Sequence, residues 1–111
     1  MKKFLVLYRM DLAEMKKFMS TATPEQRKAG MAEWGVWMKN HMADFADMGA
    51  PMGKNTVVSA SGAAEQSNDI MGYSVLQAES KEVAVKILAD NPHFKMPGAT
   101  MDVAELMPMG M

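Results

Sequence analysis

Phe4-Leu5-Val6-Leu7-Tyr8 decides how the rest of the chain is read. It is an unbroken apolar and aromatic run of five residues, bounded by Lys2-Lys3 and Arg9. A run of that length fits a strand, and one without polar alternation fits a strand covered on both faces. The spacing therefore predicts a central strand, and the remaining chain must supply its neighbours and its cover. Residues 11–20 fit a short helix. Thr23 then precedes Pro24, Glu25 and Gln26, which sets an N-cap hydroxyl, a proline at the first helical position and a glutamine placed for a capping box. Helical spacing from there puts Met31, Trp34, Met38, Met42 and Phe45 in one arc, flanked by Trp37, His41 and Met48, and Gly49 is placed to stop the helix.

After the turn-like Ala50-Pro51-Met52-Gly53, Thr56 to Ala60 reads as a short strand, Ser61 to Asp69 as a hairpin loop, and Ile70 to Ala78 as the partner strand. Alternation sets Met71, Tyr73, Val75 and Gln77 on one face and Gly72, Ser74 and Leu76 on the other. Ser80 caps a second helix with Val83, Ala84, Ile87 and Leu88 on its apolar side, ended by Asn91-Pro92. Ala99 to Met107 alternates as the last strand. The order predicts an α+β, ferredoxin-like βαββαβ domain over residues 1–111, with an antiparallel sheet and both helices on one face. Met71, Tyr73 and Val75, or Met101, Val103 and Met107, then leave an apolar sheet surface uncovered, and such a patch marks an interface or a ligand site. Pairing of two sheets in a homodimer resolves it.

Twelve basic and thirteen acidic side chains leave a charge of −1, so no excess draws the chain to nucleic acid or an anionic membrane. The absence of cysteine excludes disulfides, thiolate metal sites and cysteine nucleophiles, and fits a reducing compartment. The opening residues lack a signal-peptide cleavage pattern, and no run approaches the roughly 20 apolar residues of a membrane helix, so a cytoplasmic protein with no membrane partner is expected. Fifteen methionines point to a plastic core, a permissive pocket or a soft metal. They are spread along the chain rather than clustered with His, so no metal is expected. Neither a phosphate loop nor HExxH is present, and no cofactor is expected.

Four pieces together resemble the YCII-related (DGPF-type) family of the dimeric α/β-barrel superfamily. They are Met1-Lys2-Lys3-Phe4-Leu5-Val6-Leu7-Tyr8, Trp34-Gly35-Val36-Trp37, Asn91-Pro92-His93, and Met101-Asp102-Val103-Ala104-Glu105-Leu106-Met107-Pro108-Met109. The resemblance implies ferredoxin-like protomers whose two sheets enclose a barrel-like cavity. The resemblance implies that some members carry a His-Asp pair as an acid–base site, with the histidine early on the first long helix. Here that stretch holds Trp34 and Trp37, so the pair has no counterpart by position.

Candidate chemistry rests on a few side chains. His41 and Asp44 are spaced i, i+3, so the carboxylate could orient the imidazole as a base; a half-exposed ion pair is the plainer reading. His93 lines a cavity mouth, where it or His41 would act as the base, or else bonds the carbonyls that end the second helix. Glu105 among Met101, Val103 and Met107 is a desolvated acid–base group, or else reaches water at the sheet edge. Tyr8 and Tyr73, on neighbouring central strands, suit a substrate oxygen or an interface. Arg9 could hold a ligand carboxylate, and Trp37 could stack a flat ligand or fill core. Two functions stay open: a homodimer binding a small organic ligand, with a cofactor-free isomerase or lyase step, or a non-catalytic binding or accessory protein whose sheet face serves dimerisation.

Overall fold

The computed structural model describes residues 1–108; Met109, at the end of the terminal family-like stretch, lies outside them. The chain runs β1 (Lys2–Arg9), α1 (Leu12–Thr21), α2 (Pro24–Asn40), a 3-10 turn at Met42–Asp44, β2 (Phe45–Pro51), β3 (Asn55–Ser59), β4 (Gly62–Gln66), β5 (Ile70–Ala78), α3 (Lys81–Leu88), a 3-10 turn at Pro92–Lys95 and β6 (Thr100–Glu105). The main sheet has the order β2-β5-β1-β6 with every neighbour antiparallel. This is the ferredoxin-like arrangement, and β1 takes the inner place that its apolar run predicts.

The second strand of that arrangement is not the one expected. The long helix stops at Asn40, capped by His41, rather than running to Met48. Residues 45–51 instead form β2 along the free edge of β5. The sequence Phe-Ala-Asp-Met-Gly-Ala-Pro has poor strand propensity, so pairing with β5 and burial of Phe45 against Trp37 outweigh local preference. Thr56 to Ala60 is likewise not the partner of Ile70 to Ala78. Its residues pair with Gly62–Gln66, inside the stretch expected to be a loop, as a separate two-stranded arm.

Helix caps hold as read. Thr23 Oγ1 accepts from the Gln26 amide at 3.1 Å while Gln26 Oε1 accepts from the Thr23 amide at 2.8 Å, and Ser80 Oγ accepts from the Val83 amide. The core lies between the sheet and the helices, with Phe4, Val6, Tyr8 and Leu76 of the sheet against Trp37, Ala84 and Leu88. Met101 and Val103 pack against this core from the helix side, and Met107 lies beyond β6, so the uncovered apolar face belongs to Leu5, Leu7, Met71, Tyr73 and Val75. Those side chains are half-buried, so β1 is closed on one face and open on the other.

Tyr8, Gly72, Pro51 and Met101 share one end of the sheet by register. Both outlying parts of the molecule leave from that end: α1, which buries no residue, and the β3–β4 arm. No helix among the described residues is long and apolar enough to cross a membrane.

Candidate functional site

A cavity of about 390 Å³ opens between α2 and the Tyr8 end of the sheet, a size ordinary for a small-ligand site. Small residues make the room: Gly49 and Ala50 of β2, and Gly72 and Ser74 of β5, form its floor. Met31, Met38, Met48 and Met96 form much of its wall, with Trp34 standing edge-on to Tyr8 at 5.2 Å between ring centres. Thioethers and an indole give an adaptable apolar lining.

The floor owes its shape to a bulge. Asp47 pairs with Val75 and Ala50 with Tyr73, so Met48 and Gly49 together oppose Ser74 alone. Gly49 sits at φ +76°, in the left-handed region that favours glycine. The distortion brings the Met48 carbonyl within reach of Ser74 Oγ, which donates to it at 2.8 Å, and the Tyr8 hydroxyl donates to Ser74 Oγ at 2.9 Å. Burial pushes the Tyr8 phenol above its ordinary value, the Ser74 bond opposing, so Tyr8 keeps its proton.

His93 lies against Tyr8, 5.6 Å between ring centres, and is 1% exposed. Its Nε2 is 2.9 Å from the carbonyl oxygens of both Arg9 and Thr100. A carbonyl cannot donate, so Nε2 carries a hydrogen shared between two acceptors. Nδ1 has no hydrogen-bond partner among the described residues, and in the neutral ring it is the nitrogen that carries the lone pair. The ring therefore ties the end of β1 to the start of β6 rather than bonding the carbonyls that end α3.

The other expected site residues are dispersed. His41 Nδ1 faces Asp44 at 3.4 Å, the pairing the spacing suggests, and Nε2 lies 4.0 Å from Asp90. The pair sits at the far end of α2, stacked on Trp37, outside the cavity. Trp37 is core, its indole N–H donating to Asp90 at 2.9 Å, whereas Trp34 reaches the cavity. Met31, expected on the buried arc, is 76% exposed at the cavity rim. Glu105 is not desolvated: it pairs with Lys2 at 3.7 Å opposite Phe4, at the other end of β1 from Tyr8.

Arg9 lies on the open sheet face, donating twice to Asp69 and once to Asp102. This guanidinium holds the Asp69 carboxyl below the usual range. Tyr73 contributes to the lining, but Tyr8 and Tyr73 point to opposite faces, since Leu7 rather than Tyr8 is the register partner of Tyr73. Ser74 and the Met48 carbonyl are not among the groups the sequence singles out. A serine alternating with Gly72 and Leu76 on the covered face is a readable signal for the first; a backbone carbonyl turned by a bulge leaves none.

The Tyr73 hydroxyl donates to Asp47 at 3.2 Å, and that carboxylate pushes the phenol up. Since the chain has two tyrosines, alkaline titration of phenolate absorbance is expected to show neither ionising at the ordinary value of 10.0. Asp47→Asn is expected to return Tyr73 alone toward that value; two unshifted phenols in the unaltered protein contradict this geometry.

No family model matches the chain, and no curated protein matches it by sequence. Among solved structures it is similar to the 5-chloro-2-hydroxyhydroquinone dehydrochlorinase TftG of Burkholderia phenoliruptrix AC1100, in complex with 2,5-dihydroxybenzoquinone. The identity is 13%, the TM-score 0.59, and the alignment covers 95% of this chain and 93% of that one. At that identity the likeness establishes a shared fold, the mixed α+β arrangement of ferredoxin-like type.

Proposed function

We propose that this chain, read as one domain of the YCII-related family, forms a homodimer that binds a small cyclic organic molecule with oxygen substituents. The Met-lined cavity is the binding site, and its side chains move a proton on the ligand in an isomerase or lyase type of step. His93 carries the reading. Its Nε2 is fixed by two carbonyl acceptors, which stops the ring from turning and leaves Nδ1 as the proton acceptor. Tyr8, held by Ser74, positions a ligand oxygen, and Trp34 with the methionines excludes water from the ring. The imidazolium formed on proton transfer then lies beside the oxyanion it has created. That a protein of this fold is named for a chlorinated hydroxyhydroquinone and was solved with a dihydroxybenzoquinone supports a ligand of this size.

His93→Gln tests the step, because a glutamine amide still offers two hydrogens to the two carbonyls while removing the basic nitrogen. Deuterium uptake at the carbon beside the carbonyl of 2-hydroxycyclohexanone is expected to run faster with the protein than in buffer, and to fall about 100-fold in His93→Gln. Equal uptake in protein and buffer, with binding retained, would leave the non-catalytic reading in place.

The open sheet face bearing Leu5, Leu7, Met71, Tyr73 and Val75 pairs with the same face of a second copy, since an apolar surface of this kind on a two-layer molecule 19 Å thick calls for cover. Light scattering at micromolar concentration is expected to give twice the chain mass; a monomer would refute the pairing.

A further inference from the structure

We infer that the cavity selects ring ligands in their hydroxylated form over the corresponding carbonyl form, because Tyr8 and His93 are left as hydrogen-bond acceptors by their own internal bonding. The inference rests on the cavity being the proposed ligand site. The direction of the chain of hydroxyls is fixed at its far end: the Met48 carbonyl only accepts, so Ser74 Oγ must donate to it. With its single hydrogen engaged there, Ser74 must accept from Tyr8, and this engages the single hydrogen of Tyr8. The Tyr8 oxygen therefore faces a ligand with lone pairs alone. His93 reaches the same condition by a separate route: its Nε2 hydrogen is shared between Arg9 and Thr100, and the neutral ring offers Nδ1 as an acceptor.

The Tyr73 hydroxyl adds no donor, since Asp47 accepts its hydrogen. Trp34 Nε1 is the remaining side-chain donor in the lining. A hydroxyl on the ligand can donate to Tyr8 or His93 and still accept from Trp34. A carbonyl can only accept, and so leaves both acceptors of the cavity without a hydrogen once water is displaced, the costlier arrangement. Ser74 thus acts as a positioning residue: it sets which way the Tyr8 hydrogen points without being needed to touch the ligand.

The test compares affinities within matched pairs, 1,4-dihydroxybenzene against 1,4-benzoquinone under anaerobic conditions, and 1,4-cyclohexanediol against 1,4-cyclohexanedione, by tryptophan fluorescence or calorimetry. The second pair removes any contribution from covalent reaction of the quinone. The hydroxylated member is expected to bind about 10-fold tighter in each pair. Ser74→Ala frees the Tyr8 hydrogen and is expected to erase or reverse that ratio; should this variant fail to fold, Tyr8→Phe, which deletes one acceptor, is expected to reduce it several-fold. Equal affinities in the unaltered protein, or a ratio indifferent to both substitutions, would overturn the inference and leave the cavity as a ligand site. No binding of any of the four compounds would overturn that site reading as well.

Discussion

Gly49→Ala is expected to destabilise the fold by more than about 4 kcal/mol, a large share of the roughly 5–15 kcal/mol that holds a small domain folded. Two costs combine. At φ +76° an alanine is strained by about 1–2 kcal/mol before any neighbour is considered. Its Cβ would then lie 1.6 Å from the Tyr73 carbonyl oxygen and 2.6 Å from the carbonyl carbon. Those are backbone atoms of β5, which no side-chain rotation can move aside, so the edge strand must separate from the sheet. Urea denaturation measures the loss. Gly35→Ala supplies the contrast: an exposed helical position with nothing within 4 Å of the added carbon, where the same change is expected to stabilise by about 0.5–1 kcal/mol. A loss under about 1 kcal/mol at Gly49 would mean that β2 does not pair with β5 in this register.

His93→Ala is expected to be the next most damaging single change, at about 2–4 kcal/mol. It removes a donor shared by the carbonyls of Arg9 and Thr100 and opens a void beneath Tyr8. His93→Gln is expected to recover most of that loss, since its terminal amide serves both carbonyls. The pair separates the two duties of the residue: stability follows the Nε2 hydrogen, and proton transfer follows Nδ1. If alanine and glutamine cost the same, the two carbonyl bonds contribute nothing measurable and the ring serves only as filling.

Much of the fold is legible because local chemistry and tertiary role agree. The apolar run of β1, the capping box at Thr23 and the Ser80 cap each state their element in the residues themselves. β2 is not legible, since methionine, phenylalanine and alanine at positions 42–48 continue a helical pattern and only the free edge of β5 requires a strand there. The same ambiguity hides the site. With Met48 and Gly49 on a helix, nothing indicates that a carbonyl and a glycine help build the floor beneath Tyr8 and Ser74. Among the titratable candidates, His93 can be singled out, but its partners are backbone atoms 84 and 7 positions away. Glu105 is obscured for a simpler reason: Lys2 meets it only once β1 and β6 are side by side.

The β3–β4 arm has a consequence for how this architecture can vary. The chain departs at Met52 and returns at Met71, and the Met52 amide donates to the Met71 carbonyl at 2.8 Å, so the excursion is zipped shut at its root. The arm's two strands are solvent-facing and pair only with each other. Lengthening, shortening or exchanging the arm alters a closed loop whose entropy changes slowly with length, while the sheet register is untouched. The fold thus carries a replaceable module at the rim of its cavity, and descendants of one scaffold can diversify there without re-solving the packing of the core.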